Sequence, residues 1–149
     1  MLFRSDLPNI NKQAKTFDWP YEGWGITHDS TQLIISDGSA NIYFVEPETF
    51  RLKSTISVKD DQGPVPMLNE LEFVDGYIYA NIYQTNFIVK IDPTSGYVKG
   101  KLTLNNLLKQ EDYTPERTDV LNGIAYKADT KTFLITGKRW PKMFEVTIN

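Results

Sequence analysis

The 149-residue chain has no cysteine, which excludes a disulfide framework, a thiolate nucleophile and a zinc–thiolate site. It has one histidine, His28, so no multi-histidine metal site can form and a Ser-His-Asp triad would have to use that residue. Its neighbours Asp29 and Ser30 point to a turn instead, because short polar side chains bond the local backbone there. No metal and no cofactor are expected. Basic excess is missing too: the net charge is −3, and no Lys/Arg cluster interleaves with aromatics, so nucleic acid is not an expected partner. No apolar run approaches the roughly 18 residues of a membrane-spanning helix. The opening residues, MLFRSDLPNINKQAKTF, lack a continuous apolar core and so do not read as a signal peptide. The lack of cysteine fits a reducing cytoplasm and does not exclude an exported protein, so the compartment stays open.

What is there is aromatic and β-branched. Hydrophobic residues make up 40% and aromatic residues 13%, and an Ile/Val/Tyr/Phe/Thr-rich, Ala-poor chain favours strands. Length suggests a single domain over 1–149. The organising stretch is Leu68 to Pro93, in which Asn69-Glu70-Leu71-Glu72 leads into a strand. Asp75-Gly76 then turns between alternating apolar segments, a strong hairpin signal because both turn residues tolerate positive φ. The unit recurs. A first copy runs from Gly23-Trp24-Gly25 through Leu33–Asp37 and Asn41–Val45 to Glu46-Pro47. A third runs from Leu121-Asn122-Gly123 through Phe133–Lys138 to Val146. Pro47 and Pro93 lie 46 residues apart, as do Gly25 and Leu71, whereas Tyr83 and Lys138 lie 55 apart, as do Ile91 and Val146.

Periods of about 40–50 residues, each reading as four short strands, mark β-propeller blades. An ordinary meander of similar hairpins is the alternative. The expected fold is therefore all-β, a β-propeller of about three four-stranded blades over 20–58, 68–104 and 120–149. Within 1–19, Ile10 to Phe17 is expected to give the last strand of a preceding blade. Propellers typically close with 4–8 blades, so the ring is expected to be incomplete. Apolar flanks should then favour self-association or a complementing N-terminal fragment. One segment breaks the pattern: Leu104, Leu107 and Leu108 stand at i, i+3 and i+4, which predicts a short amphipathic helix over 104–112.

The blade entries carry the polar chemistry. Gly23-Trp24-Gly25, Asn69-Glu70-Leu71 and Asn122-Gly123-Ile124 open the three copies. Asp37, Tyr83 and Lys138 share the place at the end of the second strand, so they should gather around one axis. An indole, a phenol, amides, carboxylates and one ammonium compose a small-molecule pocket. Each residue also has a plainer reading: Trp24 as core, Asn69 as a turn cap, Lys138 as a solvated lysine, Glu70 and Glu72 as residues that orient neighbours. Trp140 before Pro141 reads as packing.

Tyr21-Glu22-Gly23-Trp24-Gly25-Ile26, Ser36-Asp37-Gly38-Ser39, Leu68-Asn69-Glu70-Leu71-Glu72, Val120-Leu121-Asn122-Gly123-Ile124-Ala125 and Thr136-Gly137-Lys138-Arg139-Trp140-Pro141 occur in this order. From about Phe17 onward the chain resembles the plant and bacterial glutaminyl-peptide cyclotransferases (glutamine cyclotransferases). The resemblance implies a five-bladed propeller and a metal-independent aminoacyltransferase that converts the N-terminal glutamine of a peptide or protein to pyroglutamate with release of ammonia. Many family members are exported. It implies that Trp24 packs on the glutamine side chain, that Asn69 hydrogen-bonds its amide, and that Lys138 stands at the polar end. Tyr83, Asp37 and Asn122 complete the substrate-binding candidates, and Lys138 and Glu70 are the catalytic candidates. Two features depart from the family. Tyr83-Gln84-Thr85 replaces the usual Trp-Gln-Thr run, and a phenol can still stack. The family's catalytic glutamate, in a Gly-Glu-Gly-like motif one blade before Trp24, and a glutamine-containing motif earlier still, have no match in these residues. Glu22 belongs to the next blade and is not that acid. Activity is therefore expected to need further blades, and a non-catalytic fragment that binds peptide N-termini or serves as an interaction module is the second reading.

Overall fold

The computed structural model describes residues 2–5 and 13–148, with side chains from Lys15 onward. Nearly all of the regular structure is β. Strands β1 (Leu2–Ser5) and β2 (Gln13–Phe17) pair antiparallel. The segment 13–17 thus has a partner within the chain, where the sequence suggests one strand over 10–17; residues 10–12 of that stretch lie outside the described residues. A first four-stranded meander holds β3 (Gly25–His28), β4 (Leu33–Ser36), β5 (Asn41–Val45) and β6 (Leu52–Ser57). A small hairpin follows, β7 (Lys59–Asp60) with β8 (Gly63–Pro64). The second four-stranded meander holds β9 (Leu68–Val74), β10 (Tyr77–Ile82), β11 (Phe87–Ile91) and β12 (Val98–Thr103). The third sheet holds β13 (Leu121–Lys127), β14 (Thr132–Gly137) and β15 (Phe144–Val146). It has three strands rather than four, since only Thr147 and Ile148 are described beyond β15.

The hairpins form where turn chemistry dictates. Asp75 and Gly76 have φ of 49° and 82°, as a two-residue turn matching the strand twist requires. His28 Nδ1 accepts the Ser30 N–H, and Asp29 Oδ1 accepts from Thr31 N, Thr31 Oγ1 and Gln32 N. That is the expected turn. The first two sheets repeat in detail: the third-to-fourth strand pairing is irregular at Phe44/Val45 in one and at Lys90/Ile91, 46 residues on, in the other. The following corners close with Phe50 N to Glu46 O and Gly96 N to Asp92 O. Phe50 and Gly96 both take positive φ, 59° and 71°.

The helix expected over 104–112 does not form. Asn106 has φ of 63°, a left-handed conformation that stops a helix, and only the single 3-10 turn Gln110–Asp112 is helical. Leu104 and Leu107 instead pack against the apolar layer between the second and third sheets. Lys142 holds the turn through Asp112 at 2.6 Å. The i, i+3, i+4 spacing records a chain reversal with two leucines inside.

Three apolar layers stack the sheets. Ile34, Ile42 and Phe44 meet Leu71, Ile78, Ala80 and Val89 between the first and second sheets. Tyr79 and Ile88 meet Leu121, Ile124, Phe133 and Ile135 between the second and third. Ile35, Tyr43, Val45 and Phe50 cover the opposite face of the first sheet with Phe17 and Trp19. Each fully buried side chain of this size contributes about 1.5–3 kcal/mol. The stacking sets β3, β9 and β13 side by side, so the three sheet entries lie together. The sheets do not close into a ring among the described residues. No helix among them is long and apolar enough to cross a membrane.

Candidate functional site

The second and third sheets begin with an irregularity that turns polar residues out of the ladder. In β9, Leu71 pairs with Ala80 and Leu68 with Ile82, so Asn69 and Glu70 together oppose Asn81. In β13, Leu121 pairs with Gly137 and Ile124 with Ile135, so Asn122 and Gly123 oppose Thr136. Such bulges re-aim side chains at the ends of sheets. The first sheet pairs regularly from Gly25, and Trp24 just before β3 is pinned by its N–H to Ser36 O at 2.9 Å. Adjacent entries touch through backbone. A Cβ on Gly25 would lie 2.1 Å from the Asn69 carbonyl oxygen, and Ser36 Oγ donates to that oxygen at 2.7 Å.

These constraints bring Gly23, Trp24, Asn69, Tyr83 and Lys138 around one open hollow of about 260 Å³. The Trp24 and Tyr83 rings stand edge to face, 5.4 Å apart and 79° inclined. Lys138 Nζ sits 4.5 Å from the Tyr83 ring centroid, where the ring quadrupole attracts a cation. The Lys138 backbone is held at both ends, its N–H to Val120 O at 2.9 Å and its carbonyl accepting from Asp119 N at 3.0 Å. Trp24 donates its indole N–H to Glu22 Oε2 at 2.7 Å and lays its ring on Gly38, where a Cβ would come within 2.6 Å.

Glu70 lies behind the indole, in a smaller hollow of about 140 Å³ with Gly23, Trp24, Gly25, Ile26 and Ile35. Burial pushes its carboxyl above the ordinary range, and Lys138 draws it partly back. Asn69 is almost fully buried. A hollow with two aromatic walls, an amide and an ammonium can hold a short polar side chain and polarise a carbonyl.

Two sequence candidates stand elsewhere. The Asp37 carboxylate accepts from Ser39 N, Ser39 Oγ and the Tyr43 hydroxyl, so it braces the turn after β4 rather than lining the hollow. Asn122 is not among the lining residues, and its Oδ1 is buried. Glu72 Oε1 accepts the Tyr126 N–H at 3.0 Å and so ties β9 to β13. Trp140 packs on Gly137 and donates to Asp119 O at 2.7 Å. The sequence reading missed Glu22 as the indole's partner. Its signal is the two-residue spacing from Trp24 in extended chain, which puts both on one side. No group of three or more His, Asp or Glu side chains among the described residues could hold a metal ion.

The family model described as glutamine cyclotransferase matches residues 1–148. The chain belongs to the glutamine cyclotransferase family. It is 33% identical over 147 residues to a glutaminyl-peptide cyclotransferase of Arabidopsis thaliana, a match covering 98% of this chain and 46% of the relative. The crystal structure of Myxococcus xanthus glutaminyl cyclase superposes with a TM-score of 0.82 at 37% identity, over 91% of this chain and 59% of that one. The WD40 β-propeller domain of Doa1 superposes with a TM-score of 0.50 at 12% identity, over 81% of this chain and 36% of that one, which is a likeness of fold alone. The all-β stack of sheets is thus propeller-like. The chain spans about half the length of the family relatives it matches.

Proposed function

We propose that this chain supplies the glutamine-holding part of a glutaminyl-peptide cyclotransferase, and that its sheets are three of the family's five blades. In that reaction the neutral α-amine of an N-terminal glutamine attacks its own side-chain amide carbon. The new C–N bond closes pyroglutamate, the old C–NH₂ bond breaks, and one amine proton reaches the leaving nitrogen, so ammonia departs. Trp24 and Tyr83 enclose the aliphatic part of the side chain, and Asn69 hydrogen-bonds its amide. Lys138 stands where negative charge develops on the amide oxygen, the position at which a preorganised cation lowers the barrier most. Burial raises the Glu70 carboxyl behind the indole, and the Lys138 charge opposes that rise.

The observation that carries this reading is the convergence of Trp24, Asn69, Tyr83 and Lys138, contributed by three sheets, on one hollow. The resemblance implies that the chain lacks the family's catalytic glutamate motif, so we expect the chain by itself to cyclise slowly or not at all. The same lack favours a second reading, a propeller fragment that binds peptide N-termini without reacting. Incubation of a glutamine-initiated peptide with the purified chain, read as ammonia release, tests both. Little or no release is expected. Full release that disappears in Glu70→Gln would show that the acid is in this chain and would overturn the assignment of roles.

A further inference from the structure

Asn81 is fully buried in β10, two residues before Tyr83 and opposite the Asn69–Glu70 bulge. Its Oδ1 accepts the Gly123 N–H at 3.2 Å. Only an oxygen can face that N–H, so the amide orientation is fixed and Nδ2 points away. Nδ2 has no hydrogen-bond partner among the described residues, and neither has the buried Oδ1 of Asn122, one residue before Gly123. An unpaired buried amide group costs about 1–3 kcal/mol. An apolar side chain of the same size would avoid that cost but leave the Gly123 N–H without its acceptor, so the bond to Gly123 is what Asn81 contributes.

What the Gly123 bond joins is specific. Gly123 belongs to the bulge of β13. Just before that bulge, Val120 O accepts from Lys138 N and Asp119 N donates to Lys138 O. The Asn81 bond therefore runs from the strand that presents Tyr83 to the segment that clamps Lys138. We propose that Asn81 is a positioning residue of the pocket: by holding the β13 bulge against β10, it sets Lys138 over the Tyr83 ring. A positioning role for this pocket rests on the function proposed above, but the geometry it sets can be read without substrate.

The experiment compares Asn81→Ala, Asn81→Leu and Asn81→Asp by NMR. Leucine keeps the volume and loses the acceptor, whereas aspartate keeps the acceptor. In the parent chain, the Lys138 ε-methylene protons should be shifted upfield by the Tyr83 ring and the Gly123 amide should exchange slowly. In folded Asn81→Ala and Asn81→Leu, Gly123 exchange should accelerate about tenfold, the worth of one hydrogen bond, and the Lys138 signals should return towards unshifted values. Asn81→Asp should keep both. Unchanged Lys138 signals in a folded variant lacking the acceptor would overturn the proposal and leave Asn81 a structural residue only. So would loss of the upfield shift in Asn81→Asp while its Gly123 amide stays protected. A parent chain that shows the ring shift yet binds no glutamine peptide counts against the functional reading and leaves the positioning role standing.

Discussion

The Lys138 charge acts on Glu70, which lies in the smaller hollow behind the indole. Burial raises the Glu70 carboxyl, which means that its ionised form is the disfavoured one in the folded chain; stability therefore falls as pH rises through the interval between its ordinary and its raised value. Lys138 opposes this. Lys138→Met removes the opposing charge, so Glu70 should titrate at higher pH still, as followed by its side-chain carboxyl carbon signal. Asp29 shows the reverse sign. Partial burial raises its carboxyl, but hydrogen bonds from Thr31 and Gln32 outweigh that and hold it at about 2. Its contribution is present above its ordinary value of 3.8 and is lost as pH falls towards 2. Because the group is partly exposed and screened, Asp29→Ala is expected to cost about 1 kcal/mol near pH 7. That deficit should shrink as urea unfolding is repeated at successively lower pH. Trp24 between two glycines is an unusual type for its place, and it lines the hollow with Tyr83 and Lys138. Asp37 shares the strand position of Tyr83 and Lys138, but that position does not say which way a short carboxylate turns, and Asp37 accepts from Ser39 and the Tyr43 hydroxyl.

The elements repeat closely enough that one slot can be compared in two copies. The corner after the third strand carries Phe50 in the first sheet and Gly96 in the second, both left-handed. At Gly96 the Ser57 carbonyl oxygen would lie 2.3 Å from a Cβ, because the preceding sheet packs on that corner. At Phe50 the corner looks onto Phe17, whose ring stacks at 5.1 Å, and the buried ring offsets a left-handed backbone that costs roughly 1–2 kcal/mol. Gly96→Ala should therefore destabilise by about 2–3 kcal/mol, visible as a lowered thermal midpoint with the circular-dichroism spectrum unchanged. Hairpins of this kind were readable in advance because Asp75-Gly76 and the acid-proline corners state their conformation locally. The 104–112 segment was not, since its leucine spacing is equally that of a turn tucked under a neighbouring sheet. The β7–β8 hairpin was also unread: Lys59–Asp60 and Gly63–Pro64 are too short to show periodicity.

At the scale of the molecule, the two ends of the stack differ. On the first sheet, Ile26, Ile35 and Tyr43 form one cross-strand row and Leu33, Val45 and Leu52 another. Phe17 and Trp19 cover part of that face, while Ile26 and Leu52 remain 52% and 47% exposed. On the third sheet the outward row includes Ala125, Leu134 and Glu145, with Lys127 paired to Glu145 at 3.2 Å. We propose that two copies pair through their first sheets, where Ile26 and Leu52 stand exposed. Light scattering should show concentration-dependent dimers, and Ile26→Asp with Leu52→Lys should return the chain to monomers. A well-folded monomer at every concentration would count against it.

The central claim is that three sheets of this chain together recognise an N-terminal glutamine. The most direct measurement is an NMR titration with a glutamine-initiated peptide, following the Trp24 indole N–H, the Tyr83 ring and the Lys138 side chain. These signals should move saturably while the Trp140 indole stays still. An N-acetylated or leucine-initiated peptide should move them at least tenfold more weakly, and Asn69→Ala should weaken the response similarly, the worth of about one hydrogen bond. Equal responses to the free and acetylated peptides, or no response at Trp24 and Lys138 with the chain folded, would contradict the account.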